Sequence, residues 1–272
     1  MAKQRLDILL VERDLCASRQ QAQRLIQAGE VTVDNQLIDK AGTEVSVTAE
    51  IKIKERSRFV SRGGEKLAKA LAIFPISVQG RVCLDGGIST GGFTDCLLQS
   101  GAKKVYGVDV GYGQVDWGLR NDPRVVLWER TNLRHLTPEE LYGEISEIPD
   151  LAVVDVSFIS LTKILPAVWQ LTQPSRELVL LVKPQFEVGK NRVGKKGVVR
   201  DSQDQADAIF QILKVALELG WSYQGLVWSP ITGPKGNIEY LLWLEMGSEN
   251  SPPNLEAIQQ LTKSASIELQ KG

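Results

Sequence analysis

Lys183 closes the run Glu177-Leu178-Val179-Leu180-Leu181-Val182-Lys183, and Asp155 closes Leu151-Ala152-Val153-Val154-Asp155. Unbroken aliphatic runs of this length read as central strands of a parallel sheet, buried on both faces. In open α/β sheets the chemistry lies just beyond the carboxyl ends of such strands, so the two side chains reach the same edge. A lysine there is costly unless it is paired or its pKa falls, and a lysine with a lowered pKa can act as a base. Lys66 lies on the helix before the first large-domain strand, within Ser61-Arg62-Gly63-Gly64-Glu65-Lys66-Leu67, and Glu239 opens the last strand. The sequence alone leaves open whether these two converge on Asp155 and Lys183.

A second group of residues has the form of a ligand cradle. Val82-Cys83-Leu84-Asp85-Gly86-Gly87-Ile88-Ser89-Thr90-Gly91-Gly92-Phe93 is a strand, a glycine-rich turn and a helix start. Gly87, Gly91 and Gly92 let backbone approach a ligand, and the amino-terminal N–H groups of the helix can hold a carboxylate. Asp109 ends the next strand, 18 residues after Gly91, the usual separation for a carboxylate that binds ribose hydroxyls. Such a pattern fits a dinucleotide or S-adenosylmethionine, and Asp85 with Asp109 on adjacent strand ends favours the methyl donor. A Walker lysine-serine pattern is absent, which disfavours a nucleoside triphosphate.

The segment after the fifth strand bears on the methyl acceptor. Enzymes that methylate exocyclic base amines carry Asn/Asp-Pro-Pro-aromatic there; this chain has Lys183-Pro184-Gln185-Phe186, which suits a hydroxyl. Cys16, Cys83 and Cys96 occupy none of the places needed for covalent attack on a base, show no metal-ligand spacing, and read as reduced core thiols. With one histidine, His135, read as a surface residue, no metal is expected.

These elements must sit in a chain of 272 residues with an ordinary 43% hydrophobic share, enough for a full α/β domain and a smaller one. No apolar run approaches the roughly 20 residues of a membrane span, and the N-terminus is not a secretory signal, so a cytoplasmic protein without membrane contact is expected. The net charge of −1 hides local clusters. Residues 52–66 carry Lys52, Lys54, Arg56, Arg58, Arg62 and Lys66; residues 183–200 carry Lys183, Lys190, Arg192, Lys195, Lys196 and Arg200. Clustered positive charge on a nearly neutral protein is the footprint of a phosphate backbone. Nothing in the sequence speaks to oligomeric state.

Along the chain, apolar spacing predicts a short helix over residues 6–15. Ser18 caps a second helix to Ala28, closed by Gly29, and short strands follow around a tight turn at Asp34-Asn35. From residue 65, helices alternate with strands at 82–85, 105–109, 125–128, 151–155, 178–183, 223–228 and 238–245, and a helix is predicted over 161–171. Gly233-Pro234-Lys235-Gly236-Asn237 makes a tight return that inserts the last strand antiparallel. The expected fold class is therefore α/β. It comprises a Rossmann-like class I methyltransferase sheet, mostly parallel with its last strand antiparallel, and a small N-terminal α+β domain. The boundaries are 1–59 for the small domain and basic linker, 60–247 for the methyltransferase domain, and 248–272 for a polar tail with a short amphipathic helix.

Arg5-Leu6-Asp7, Ala17-Ser18-Arg19-Gln20-Gln21-Ala22 and Ile26-Gln27-Ala28-Gly29-Glu30-Val31-Thr32-Val33-Asp34 resemble the alpha-L RNA-binding domain of the ribosomal protein S-four type. Over the rest of the chain, Val60-Ser61-Arg62-Gly63-Gly64, Ser89-Thr90-Gly91-Gly92-Phe93-Thr94, Asp109-Val110-Gly111-Tyr112-Gly113-Gln114, Glu129-Arg130-Thr131-Asn132, Asp155-Val156-Ser157-Phe158, Lys183-Pro184-Gln185-Phe186-Glu187 and Gly236-Asn237-Ile238-Glu239-Tyr240 follow in the order of the TlyA family. The chain resembles that family, which joins an alpha-L domain to an FtsJ-like ribose methyltransferase domain.

The resemblance implies transfer of a methyl group from S-adenosylmethionine to ribose 2′-hydroxyls of ribosomal RNA, with cytidines of either subunit as acceptors. The family's Lys-Asp-Lys-Glu tetrad falls on Lys66, Asp155, Lys183 and Glu239. Cofactor contacts fall on Asp85, Gly87, Ser89, Thr90, Gly91, Gly92, Phe93, Asp109, Asn132 and Asp155. RNA contacts are expected from Arg5, Arg19, Gln20, Arg24, Arg58, Arg62, Lys190 and Arg192. Ile88 departs from the small residue usual at its place and is expected to reshape the turn. The rival reading is a non-catalytic RNA-binding or ribosome-assembly factor on the same fold; the haemolysin label borne by such proteins finds no support in the sequence.

Overall fold

The computed structural model describes residues 2–54, 57–144, 147–247 and 249–269; Arg56 of the basic stretch lies outside them. The chain divides into two compact units, Met1–Ser57 and Arg58–Gly272.

In the first unit, β1 (Lys3–Arg5) runs into α1 (Leu6–Glu12), and α2 (Arg19–Gln27) follows. The Ser18 side chain accepts a hydrogen bond from Gln21 N at 3.3 Å, capping α2 as its residue type demands. Four short strands complete the unit: β2 (Val31–Val33), β3 (Gln36–Leu37), β4 (Glu44–Ser46) and β5 (Ile51–Ile53). They form a β1-β4 pair and a β3-β2-β5 sheet. Asp34 and Asn35, at φ 48° and 64°, make the two-residue left-handed turn that matches strand twist. Leu6, Leu10, Ala22, Ile26 and Val31 are wholly buried and form the centre of the core.

The second unit begins with α3 (Gly63–Ile73), then β6 (Val82–Gly86), α4 (Gly92–Gln99), β7 (Lys104–Val108), α5 (Trp117–Arg120), β8 (Val125–Trp128) and α6 (Pro138–Tyr142). It continues with β9 (Leu151–Val154), α7 (Leu165–Leu171), β10 (Glu177–Val182), α8 (Pro184–Glu187), α9 (Ser202–Glu218), β11 (Trp221–Trp228), β12 (Tyr240–Met246) and α10 (Leu255–Leu269). The seven strands lie in the order β11-β12-β10-β9-β6-β7-β8, with β12 antiparallel to both neighbours and the β10-to-β8 ladder parallel. Successive strand residues face opposite sides. Leu84, Val154 and Leu180 enter a core with α7 and α9, whereas Cys83, Val153, Val179 and Leu181 pack toward α3 and α4. Burial pushes the Cys83 and Cys96 thiols up to about 12, so both are neutral core residues.

Two expectations need correction. The helix over 161–171 is broken: a single tight turn at Leu161–Lys163 precedes α7. Pro166 lacks an N–H and fits only the first turn of a helix, so α7 restarts there. The C-terminal stretch is not merely a polar tail. Ile258, Thr262 and Ala265 of α10 are buried, and Thr262 Oγ1 donates to Ser202 O of α9 at 2.8 Å. Among the described residues, no helix is long and apolar enough to cross a membrane.

Candidate active site

Strand register decides which acids reach the ligand edge. Gly86 pairs with Val154 on one side and Val108 on the other, so Gly87, Asp155 and Asp109 lie one step beyond the sheet. Asp85 pairs with Val153 and Gly107, one step inside it. Gly87 has φ +89°, and a Cβ there would lie 2.4 Å from Asp155 O; only glycine fits. The Asp109 carboxylate accepts from Ser89 N at 2.8 Å and Gly111 N at 2.7 Å, bracing the glycine turn against the loop after β7.

A cavity of about 490 Å³ opens at this edge. Of the predicted cofactor residues, Gly87, Ser89, Asp109, Asn132 and Asp155 line it. Thr90, Gly92 and Phe93 line a smaller cavity of about 200 Å³, together with Gly87, Ser89, Asp155, Lys66 and Arg62. Asp85 and Gly91 line neither. Asp85 is wholly buried behind the turn, its Oδ2 accepting from Thr94 Oγ1 at 2.6 Å and its Oδ1 without a hydrogen bond. That hydrogen bond fastens the start of α4 to the end of β6. Ile88 is also directed away from the larger cavity: its side chain is buried against Gly107 and borders only the smaller one.

Burial pushes the Asp85 carboxyl up to about 7; the Thr94 hydrogen bond opposes this and the charge of Asp155 adds to it. An acid whose folded pKa exceeds its unfolded value of about 4 binds its proton more tightly when folded. Its contribution to stability is therefore greatest at low pH and declines as pH rises toward about 7. Asp85→Asn, which keeps an oxygen for Thr94, is expected to melt several degrees above the wild type at alkaline pH. The gap should begin to close as the pH falls below about 7 and vanish near the unfolded value of about 4, as thermal melts across pH would read; a gap independent of pH would remove Asp85 as the titrating group.

Two ion pairs stand where the cavities meet. Lys66 Nζ lies 2.5 Å from Glu239 Oε2, with both side chains buried. Lys183 Nζ lies 2.5 Å from Asp155 Oδ1 and donates to Ser157 Oγ at 2.9 Å. Gly233 wraps Glu239 closely, since a Cβ there would be 2.6 Å from Oε1. Pro234 borders both the smaller cavity and a third one, of about 330 Å³, that contains Lys183 and Glu239. All four tetrad residues are thus brought together.

Other lining residues were not among the expected site residues. Gln114, Thr131, Ser157 and Phe158 line the large cavity. Phe158, 91% exposed at φ +66°, is conspicuous. Ser157 and Phe158 belong to the segment that carries Asp155, so their nearness was readable from that motif.

The expected RNA residues divide. Gln20 and Arg24 are exposed on α2. Arg5 and Arg19 donate to the buried Asp7 at 3.0 and 2.9 Å, and the Arg5 guanidinium holds that carboxyl well below the usual carboxylate range. Their charge is therefore partly committed within the fold. Arg58 stacks over Phe59 at 4.9 Å, and Lys190 is exposed. Arg192 is held by Asp204 and Asp207 of α9 at 3.3 and 2.7 Å, a brace for its loop rather than a free cation.

A sheet of this order, with its ligand cavities at the carboxyl edge and an antiparallel penultimate strand in space, defines a class I methyltransferase fold. Comparison with known families agrees: the FtsJ-like methyltransferase model matches residues 59–246 and the S4 domain model residues 4–51. The chain is 50% identical over 249 residues to 16S/23S rRNA (cytidine-2′-O)-methyltransferase TlyA of Mycobacterium tuberculosis, covering 91% of each. It is 42% identical over 237 residues to Hemolysin A of Brachyspira hyodysenteriae, covering 87% of this chain and 98% of that one. A solved structure from Streptococcus thermophilus superposes with a TM-score of 0.75 at 41% identity, covering 100% of this chain and 98% of its own. The chain belongs to the FtsJ-like methyltransferases that carry an S4 domain, the family of the TlyA proteins.

Proposed function

We propose that this protein methylates the ribose 2′-hydroxyl of cytidines in ribosomal RNA, using S-adenosylmethionine, in the cytoplasm. The observation that carries the reading is the meeting of three cavities at the Lys66–Glu239 and Lys183–Asp155 pairs. S-adenosylmethionine, when bound, supplies an electrophilic methyl group on a sulfonium. The donor set fits it. Asp109 at the rim of the large cavity has the chemistry for ribose hydroxyls, and Asn132 lines the same wall. The smaller cavity offers Lys66 and the start of α4 to a carboxylate.

The chain's own residues then position an acceptor hydroxyl from the third cavity, and positioning supplies much of such a rate. Lys183 sets positive charge against the oxygen as it develops alkoxide character. The hydroxyl proton must leave, and the Lys183–Asp155 couple, joined at 2.5 Å, is the accepting unit. Lys66 of α3, paired with Glu239, borders the same smaller cavity as Asp155. Arg5, Arg19, Gln20 and Arg24 of the first unit, and Arg58, Arg62 and Lys190 of the second, would meet the RNA backbone.

The test uses methyl-labelled donor with ribosomal subunits lacking the modification, followed by mass spectrometric mapping. The expected product is 2′-O-methylcytidine at discrete positions. Intact RNA binding without methyl incorporation would favour the assembly-factor reading instead.

A further inference from the structure

The β9–β10 ladder ends where Val154 pairs with Leu180, so side chains set the spacing of the two segments that continue beyond it. One segment carries Asp155 and Ser157 and runs on to Leu161; the other carries Lys183 and becomes α8, which ends at Glu187. At the near end Lys183 meets Asp155 and Ser157. Midway, the rings of Phe158 and Phe186 lie 5.1 Å apart. At the far end the Glu187 carboxylate takes two donors: Ser160 Oγ reaches Oε2 at 2.6 Å and Leu161 N reaches Oε1 at 2.9 Å.

The Asp155 segment has little else to hold it. Ser157 and Phe158 are exposed, and Phe158 sits at φ +66°, an unfavourable conformation for a bulky residue. Glu187 itself is half-buried, and among the described residues no cation pairs with it. Burial pushes its carboxyl above the ordinary value, and the bonds from Ser160 and Leu161 oppose that rise. A charge withdrawn from water without a counter-ion is costly. Hydrogen bonds to an ionised group are shorter and stronger than neutral ones, which suits a joint between segments that share no ladder.

We infer that Glu187 is a positioning residue for methyl transfer: by fastening the far end of the Asp155 segment to α8, it fixes the spacing at which Asp155 and Lys183 meet. The inference rests on the ribose-methylation reading and deepens it. Glu187 borders none of the three cavities, so it acts through the pair rather than on donor or acceptor. Asp155 N is separately anchored to Gly86 O at 2.9 Å, so the donor-side cavities keep their wall when the joint is cut. The displacement then falls on Ser157 and Lys183.

Single-turnover methylation of ribosomal subunits, across a range of labelled donor, compares wild type, Glu187→Ala, Glu187→Gln and Ser160→Ala below each melting midpoint. Glu187→Ala is expected to lose about 10²-fold in rate, the cost of moving a reacting group by about 1 Å. The KM for S-adenosylmethionine and the affinity for RNA should stay near wild type. Glu187→Gln keeps an acceptor for Leu161 N and turns a donor toward Ser160 Oγ, so it should recover most of the rate. A group that itself exchanged a proton would be lost as fully in glutamine as in alanine. Ser160→Ala should lose less, because Leu161 N stays bound, and should add little to Glu187→Ala. It carries the same readout if the alanine variant at 187 does not fold. A folded Glu187→Ala at the wild-type rate, a loss taken up in KM, or a glutamine variant as slow as alanine would overturn the assignment. So would losses at Ser160 and Glu187 that simply multiply. Wild type that transfers no methyl would instead overturn the ribose-methylation reading, and this role with it.

Discussion

Lys183→Ala is expected to slow methyl transfer by about 10²- to 10⁴-fold, the range for losing a positioned proton-transfer or charge-stabilising group. The side chain is 11% exposed, 2.5 Å from Asp155 and 2.9 Å from Ser157, so it is held in one place rather than sampling solvent. It borders the third cavity and neither of the other two. The KM for S-adenosylmethionine should therefore stay near the wild-type value while kcat collapses. Asp155→Ala should differ, because Asp155 borders both donor-side cavities and would lose cofactor affinity as well. Lys183→Arg separates charge from proton transfer: a guanidinium keeps the charge but cannot give up a proton. Failure of arginine to rescue is expected. Single-turnover methylation would check all three variants, and alanine turnover close to wild type would remove Lys183 from the chemistry.

The strand-end residues were legible because parallel strands share an edge and aliphatic runs mark those strands. Their depth was not. Asp85 and Asp155 both read as acids closing a strand, yet the β6–β9 register puts Asp85 opposite Val153 and Asp155 opposite Gly87. One residue of register separates a buried brace from a ligand-facing carboxylate, and sequence carries no register between strands 70 residues apart. The pairing of Arg192 was hidden for a related reason. A cationic loop looks free in sequence, but α9 presents Asp204 and Asp207 at successive turns of one face, where they capture it. The tail helix was legible as a helix; its burial against α9 is a tertiary fact that a polar composition obscured.

Lys66 and Glu239 lie 173 residues apart and meet at 2.5 Å with almost no exposure, so their coupling should dominate stability as well as activity. Lys66→Ala leaves a carboxylate that is 2% exposed without its counter-charge. Breaking a buried pair from one side costs about 3–5 kcal/mol. At roughly 2–4 °C per kcal/mol for a unit of this size, the melting midpoint should fall by about 6–20 °C. Water entering from the adjoining 200 Å³ cavity would favour the lower end. Replacing both partners, as Lys66→Met with Glu239→Leu, removes the uncompensated charge and should recover most of that loss, since apolar groups of similar volume often match a buried pair. Neither form should methylate RNA. A scaffold role predicts recovery of activity together with stability; a role in chemistry predicts a refolded but inactive protein. Thermal melts paired with single-turnover methylation on the same preparations distinguish the two. Methylation by the apolar double variant at a rate near wild type would show that the pair serves the fold alone.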